Sequence, residues 1–267
     1  MERASWNAAI VALAMSLGIP GRLVADEAAL VRHLLAADPP GARVWMASGS
    51  RRFLGLELEA IASEAEGAVV LVHGLGGNLD EPGVIRELRR RLPRDGWRTL
   101  SIQLPVIAPA TSADELERWR RRGAERIGEA VRFLAGAGAP GVVIIAHRAG
   151  AAAAMGYFLE GADPVVSALV AVSPVYSPRA VETGDEAALT DAWPKLLLEI
   201  YADRDLPLVL AAVERHRRSA GALVDMSLRQ VQIGAAGHGL AGREDEVHRW
   251  VRGWLAESVT GAAARAR

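Results

Sequence analysis

The stretch Val142-Val143-Ile144-Ile145-Ala146-His147-Arg148-Ala149-Gly150-Ala151-Ala152-Ala153-Ala154 decides the fold. Its first five residues are all apolar, rich in β-branched side chains and too few for a helix, which predicts a strand buried on both faces. The small residues from Ala149 onward let the chain turn sharply into a helix. Strand, tight turn and helix around one polar position is the pattern of G-x-S-x-G, the nucleophile elbow of α/β-hydrolases. Here Ala146 stands for the first glycine and Arg148 for the serine. A guanidinium stays protonated and has no usable lone pair, so Arg148 cannot attack a carbonyl. His147 is a poor substitute, because neighbouring positions at a sharp turn point in different directions.

Working outward, further short apolar runs occupy 68–72, 99–104, 165–172, 196–201 and 231–233. Amphipathic stretches lie between them: Ile85, Leu88 and Leu92 share one face, and Ile127, Val131 and Leu134 another. Val247, Trp250, Val251, Trp254 and Leu255 form a helical stripe whose tryptophans read as packing. Buried strands alternating with such helices predict an α/β fold of the α/β-hydrolase type, a mostly parallel sheet with helices on both faces. Before it, a helical stretch from Asp26 to Leu35 and two strand-like runs, 43–46 and 53–58, flank the turn Ser48-Gly49-Ser50. The expected divisions are an N-terminal helix and hairpin extension at 26–62, a core at 63–257 and a disordered tail at 258–267.

In an open parallel sheet, ligands bind at the carboxyl ends of the strands. Three such ends carry polar groups. His73-Gly74-Leu75-Gly76-Gly77-Asn78 is the kind of loop whose backbone N–H groups form half of an oxyanion hole, with Leu75 and Gly76 as candidates and Ala149 supplying the other half. A dinucleotide loop is excluded, since Leu79 takes the place of the third glycine and the strand at 99–104 ends without an acidic group. The third end holds Asp203-Arg204-Asp205, followed later by His238 in Gly237-His238-Gly239. Elbow, acid, histidine is the chain order of the hydrolase triad. Asp205 is the first candidate for the acid and Asp203 the second.

Composition narrows the rest. A chain of 267 residues with 51% hydrophobic side chains can bury one large core, and a formal net charge of -1 offers no general attraction to nucleic acid or anionic lipid. Any anion site must be local. Arginine is abundant and Lys195 is the sole lysine, so a single arginine is weaker evidence than it looks. With no cysteine there is no disulfide, no thiolate nucleophile and no cysteine-ligated metal. His33, His216 and His248 fall in helical or exposed contexts without metal-ligand spacing, so neither a metal nor a cofactor is expected. Arg3, the apolar run Ala8 to Leu17 and small residues up to Ala25 read as a secretory signal peptide at 1–25, with a buried amino-terminal helix as the alternative. The expectation is a periplasmic or secreted protein without a stable membrane span after cleavage near Ala25.

The segments Glu81-Pro82-Gly83-Val84-Ile85, Leu92-Pro93, Gly96-Trp97 and Thr99-Leu100-Ser101-Ile102-Gln103-Leu104-Pro105 resemble a proteobacterial family of exported α/β-hydrolase-like proteins of unknown function. The resemblance runs from about Trp45 to Leu255. It implies the fold and a periplasmic location, and no substrate. Three functional expectations follow. The first is a degenerate hydrolase that binds a small, anionic ligand at Arg148, or whose Arg148 merely pairs with Asp205 or Asp203. The second is an active ester or amide hydrolase with another nucleophile, such as Ser173 with His238 as base. The third is a cell-envelope interaction module using the loop 175–193.

Overall fold

The structure is a computed structural model that describes residues 27–61, 65–107, 112–176, 194–220 and 226–260. The expected signal peptide therefore lies outside the described residues, as does most of the loop 175–193. An eight-stranded sheet runs β1-β2-β4-β3-β5-β6-β7-β8. Six of its strands, β3 (Gly67–Val72), β4 (Trp97–Ile102), β5 (Val142–His147), β6 (Val166–Val172), β7 (Leu196–Arg204) and β8 (Ser227–Gly237), run parallel to one another. The strands β1 (Ala42–Ser48) and β2 (Arg51–Leu58) form an antiparallel hairpin, and β2 joins β4 antiparallel. The hairpin is thus the edge of the main sheet, not an appendage beside it.

Every residue of β3 and β5 is buried, which is why these strands show no polar alternation. On one face the apolar residues of α3 (Ala113–Gly136) and α4 (Gly150–Leu159) cover Val70, Val72, Ile144 and Leu169. On the other, α2 (Val84–Arg91) and α6 (Glu244–Trp254) cover Val69, Leu71, Val143 and Val170. In the expected tryptophan stripe Trp254 is core, whereas Trp250 is exposed and its ring carries Arg229. A π-helical turn, Leu255–Thr260, continues α6 into the stretch expected as tail; residues 261–267 lie outside the described set. No helix among the described residues is long and apolar enough to cross a membrane.

Two buried arginines fasten the amino-terminal part to the core. Arg126 of α3 donates to both carboxylate oxygens of Glu27, at 2.7 and 3.0 Å, and to the carbonyl of Gln103 at 2.7 Å. Glu27 opens α1 (Glu27–Ala36), whose Val31 and Leu34 pack on Leu54, Leu56 and Leu79. Arg89 is fully buried and donates to Asp80 and to the Pro40 carbonyl, both at 2.5 Å. Removing one partner of a buried pair leaves the other uncompensated. Arg89→Leu should therefore lower stability by about 3 kcal/mol, the low end of the usual range because Arg86 still faces Asp80 at 3.2 Å. Urea denaturation checks this through a reduced midpoint.

Candidate functional site

The chain leaves β5 at His147, and Arg148 takes a left-handed conformation (φ 52°) before α4 begins at Gly150. Such a conformation is uncommon for a residue with a side chain and needs anchoring from outside. The anchors are the Arg148 N–H, which donates to the Val172 carbonyl at 2.9 Å, and the Arg148 carbonyl, which accepts from Ala151 and Val175 at 3.1 Å. Gly150 is pressed on the end of β3: a Cβ there would lie 2.7 Å from the carbonyl oxygens of Val72 and His73. Only glycine permits that approach. It brings the turn beside the loop that follows β3.

That loop is shaped by His73. Its Nδ1–H donates to the Gly74 carbonyl at 2.7 Å, which leaves Nε2 to accept from the Leu104 N–H at 3.0 Å. Burial lowers its pKa and favours the neutral ring these bonds require. Gly77 N–H closes the turn on the Gly74 carbonyl. The N–H groups of Leu75, Gly76 and Ala149 donate to no acceptor among the described residues.

At the ends of β7 and β8, His238 Nδ1–H donates to Asp205 Oδ1 at 2.6 Å. Asp205 accepts three further bonds: from Leu206 N–H at 2.8 Å, Ala202 N–H at 3.1 Å and Ser173 Oγ–H at 2.8 Å. Burial opposes its charge, but the donors, His238 foremost, outweigh burial and hold its pKa below the ordinary value. Ser173, itself left-handed (φ 45°), also accepts from Gly239 N–H at 3.1 Å and so ties the histidine loop to the acid. Its hydroxyl proton is committed to Asp205, not to His238. Asp203 accepts instead from the N–H groups of Ala235 and Ala236.

Arg148 does not pair with Asp205 or Asp203; its partner is Glu81, with Nη1 3.4 Å from Oε1. Glu81 lies in the turn before α2 and is 8% exposed. Its other oxygen is 3.9 Å from His147 Nδ1, whose ring donates through Nε2 to the Gly239 carbonyl at 3.2 Å. Burial opposes this charge too, and His147, His73 and Arg148 together keep the Glu81 pKa below the usual carboxylate value. The guanidinium lies against Gly239, where a Cβ would come 2.7 Å from Cζ. Arg148 therefore links the turn, the Glu81 turn and the histidine loop.

Buried polar atoms are normally satisfied, and exceptions mark places that call for explanation. Six buried side-chain atoms among the described residues lack a hydrogen-bond partner, and four belong here: Glu81 Oε2, His147 Nδ1, Arg148 Nε and His238 Nε2. Among the described residues, no three histidines or acids come together as a metal site would require.

The family described as a protein of unknown function, DUF3530, matches residues 18–118 and 108–257. The chain belongs to that family. No curated protein matches it in sequence. In structure, this DUF3530 chain is similar to Est1E from Butyrivibrio proteoclasticus, with TM-score 0.64 and 14% identity over 81% of this chain and 98% of that one. It is also similar to a dienelactone hydrolase from Anabaena variabilis ATCC 29413, with TM-score 0.63 and 23% identity over 82% and 98% of the two chains. A third likeness is to an alpha-beta serine hydrolase homologue from Coxiella burnetii, with TM-score 0.61 and 14% identity over 81% and 98%. At these identities they establish the α/β-hydrolase fold.

Of the residues expected from the DUF3530 sequence, Arg148 lies against Gly74, the residue before Leu75 and Gly76, and against Gly239, the neighbour of His238. Asp203 faces its own loop. Glu81 was missed, because its contact with Arg148 spans 67 residues of the chain and Asp80 beside it offers the same charge. His216 and His248 are helical, but both are buried and paired, with Glu199 and Asp95 respectively, each at 2.7 Å. The depressed pKa values of Asp205 and Glu81 stabilise the fold fully above their unfolded-state values, near 4, and that stability is lost as pH falls through the lower folded values. Asp205→Asn should flatten part of this acid dependence, as measured by urea unfolding at a series of pH values between about 2 and 5.

Proposed function

We propose that this chain is an exported α/β-hydrolase-like protein with Arg148 at the nucleophile position, which binds a small ligand through an anionic group and forms no acyl-enzyme. The observation that carries this reading is the convergence of orphaned buried polar atoms around Arg148. A guanidinium cannot attack, but it donates strongly to carboxylate or phosphate oxygens. The N–H groups of Leu75, Gly76 and Ala149 are the further donors, in the role an oxyanion hole plays for negative charge. Asp205 and His238 are the remaining members of the triad. Export rests on the Arg3, Ala8–Leu17 and Ala25 pattern.

An active hydrolase is the second reading, supported by His238 Nε2, which is buried, unpartnered and backed by Asp205. Its weakness is the nucleophile, since the hydroxyl of Ser173 serves Asp205. Hydrolysis of p-nitrophenyl acetate by wild type, Arg148→Ser and His238→Ala separates the two. Wild type should show no turnover above buffer and Arg148→Ser should gain some; wild-type turnover abolished by His238→Ala would sink the binding reading. Acetate and phosphate should raise the melting temperature of wild type, because a ligand of the folded state stabilises it. Arg148→Ala should lose that shift.

A further inference from the structure

The orphaned atoms also specify the ligand's other end, an inference that rests on the reading of Arg148 as an anion-binding residue. Arg148 Nε is a donor in need of an acceptor. Glu81 Oε2 is an acceptor in need of a donor, and so is His238 Nε2, because Nδ1 spends its proton on Asp205. A bare carboxylate has only acceptors to offer. It would satisfy Arg148 and the backbone N–H groups and leave both acceptors bare.

Charge points the same way. The site holds two carboxylates and one guanidinium: Glu81 stands 3.4 Å from Arg148, Asp205 is bonded to His238, and both acids have depressed pKa values. With histidines counted neutral, the site bears one net negative charge before any ligand arrives. A monoanion would add to it, whereas a ligand carrying an ammonium beside its carboxylate would not. Glu81 is deeply buried, its charge is only partly met by Arg148 at 3.4 Å, and His147 stands 3.9 Å off. A buried acid so loosely paired favours an incoming cation.

We propose that the site takes a zwitterionic amino-carboxylate, its carboxylate held by Arg148 with the N–H groups of Leu75, Gly76 and Ala149, and its ammonium by Glu81. The test is isothermal titration of the full chain at neutral pH with L-alanine, propionate and ethylamine, which share a skeleton and differ in their charged ends. Alanine should bind wild type about tenfold more tightly than either, the worth of one charge-assisted hydrogen bond. Glu81→Gln, nearly isosteric, should reduce alanine to the affinity of propionate while leaving propionate no weaker. Propionate binding as tightly as alanine to wild type overturns the proposal without any variant, as does an alanine preference that survives Glu81→Gln; in either case carboxylate binding at Arg148 stands. If alanine and propionate both fail to bind wild type, the anion-binding reading falls and this one with it.

Discussion

The architecture turns on one close approach, that of Gly150 to the carbonyls of Val72 and His73, where no Cβ fits. It sets the start of α4 on the end of β3, so the turn carrying Arg148 comes to lie against Gly74, at the head of the loop carrying Leu75 and Gly76. Parallel strands make this possible, because β3, β5, β6 and β7 all finish at the same edge of the sheet. The histidine loop meets the same arginine through Gly239. It is fixed by Ser173, which holds Asp205 with its proton and Gly239 with its lone pair. A left-handed turn at Arg148 and another at Ser173 are sustained by this shared network, and neither would be stable in isolation.

Within that frame, a large cation occupies the left-handed turn between β5 and α4. Its guanidinium needs room, and Gly239 provides it by having no side chain. It also needs a counter-charge, and Glu81 provides that imperfectly. The pair is long and leaves an atom unsatisfied on each partner. A buried ion pair evolved for stability alone would be expected to close that gap, because desolvating two charges is costly unless their hydrogen bonds are complete. Arg89 with Asp80 and Arg126 with Glu27 show the same chain making shorter pairs elsewhere, although Arg89 Nε too lacks a partner. What sets Arg148 apart is the 3.4 Å separation from its carboxylate together with orphaned atoms on both partners.

Much of this was legible beforehand. The continuous apolar runs gave the central strands, since a strand buried on both faces leaves no other pattern, although β8 proved far longer than the three residues first apparent because its outer part alternates. The chain order of turn, acid and histidine pointed to Asp205 and His238, which the structure joins at 2.6 Å. Asp205 and Asp203 were harder to separate: two residues apart at a strand end, they differ only in which loop each meets. Ser173 looked like a spare nucleophile because its chemistry is visible in the sequence and its hydrogen bond is not.

The sequence by itself determined the fold class and the absence of a hydroxyl at the turn after β5, because these depend on local patterns of apolarity, size and residue type. Only the tertiary structure decided what Arg148 faces. Glu81 is 67 residues away along the chain, and its contact with the guanidinium follows from how the end of β3, the turn before α2 and the turn after β5 are packed together. Partnership between distant charges is a property of that packing, and no spacing along the chain encodes it.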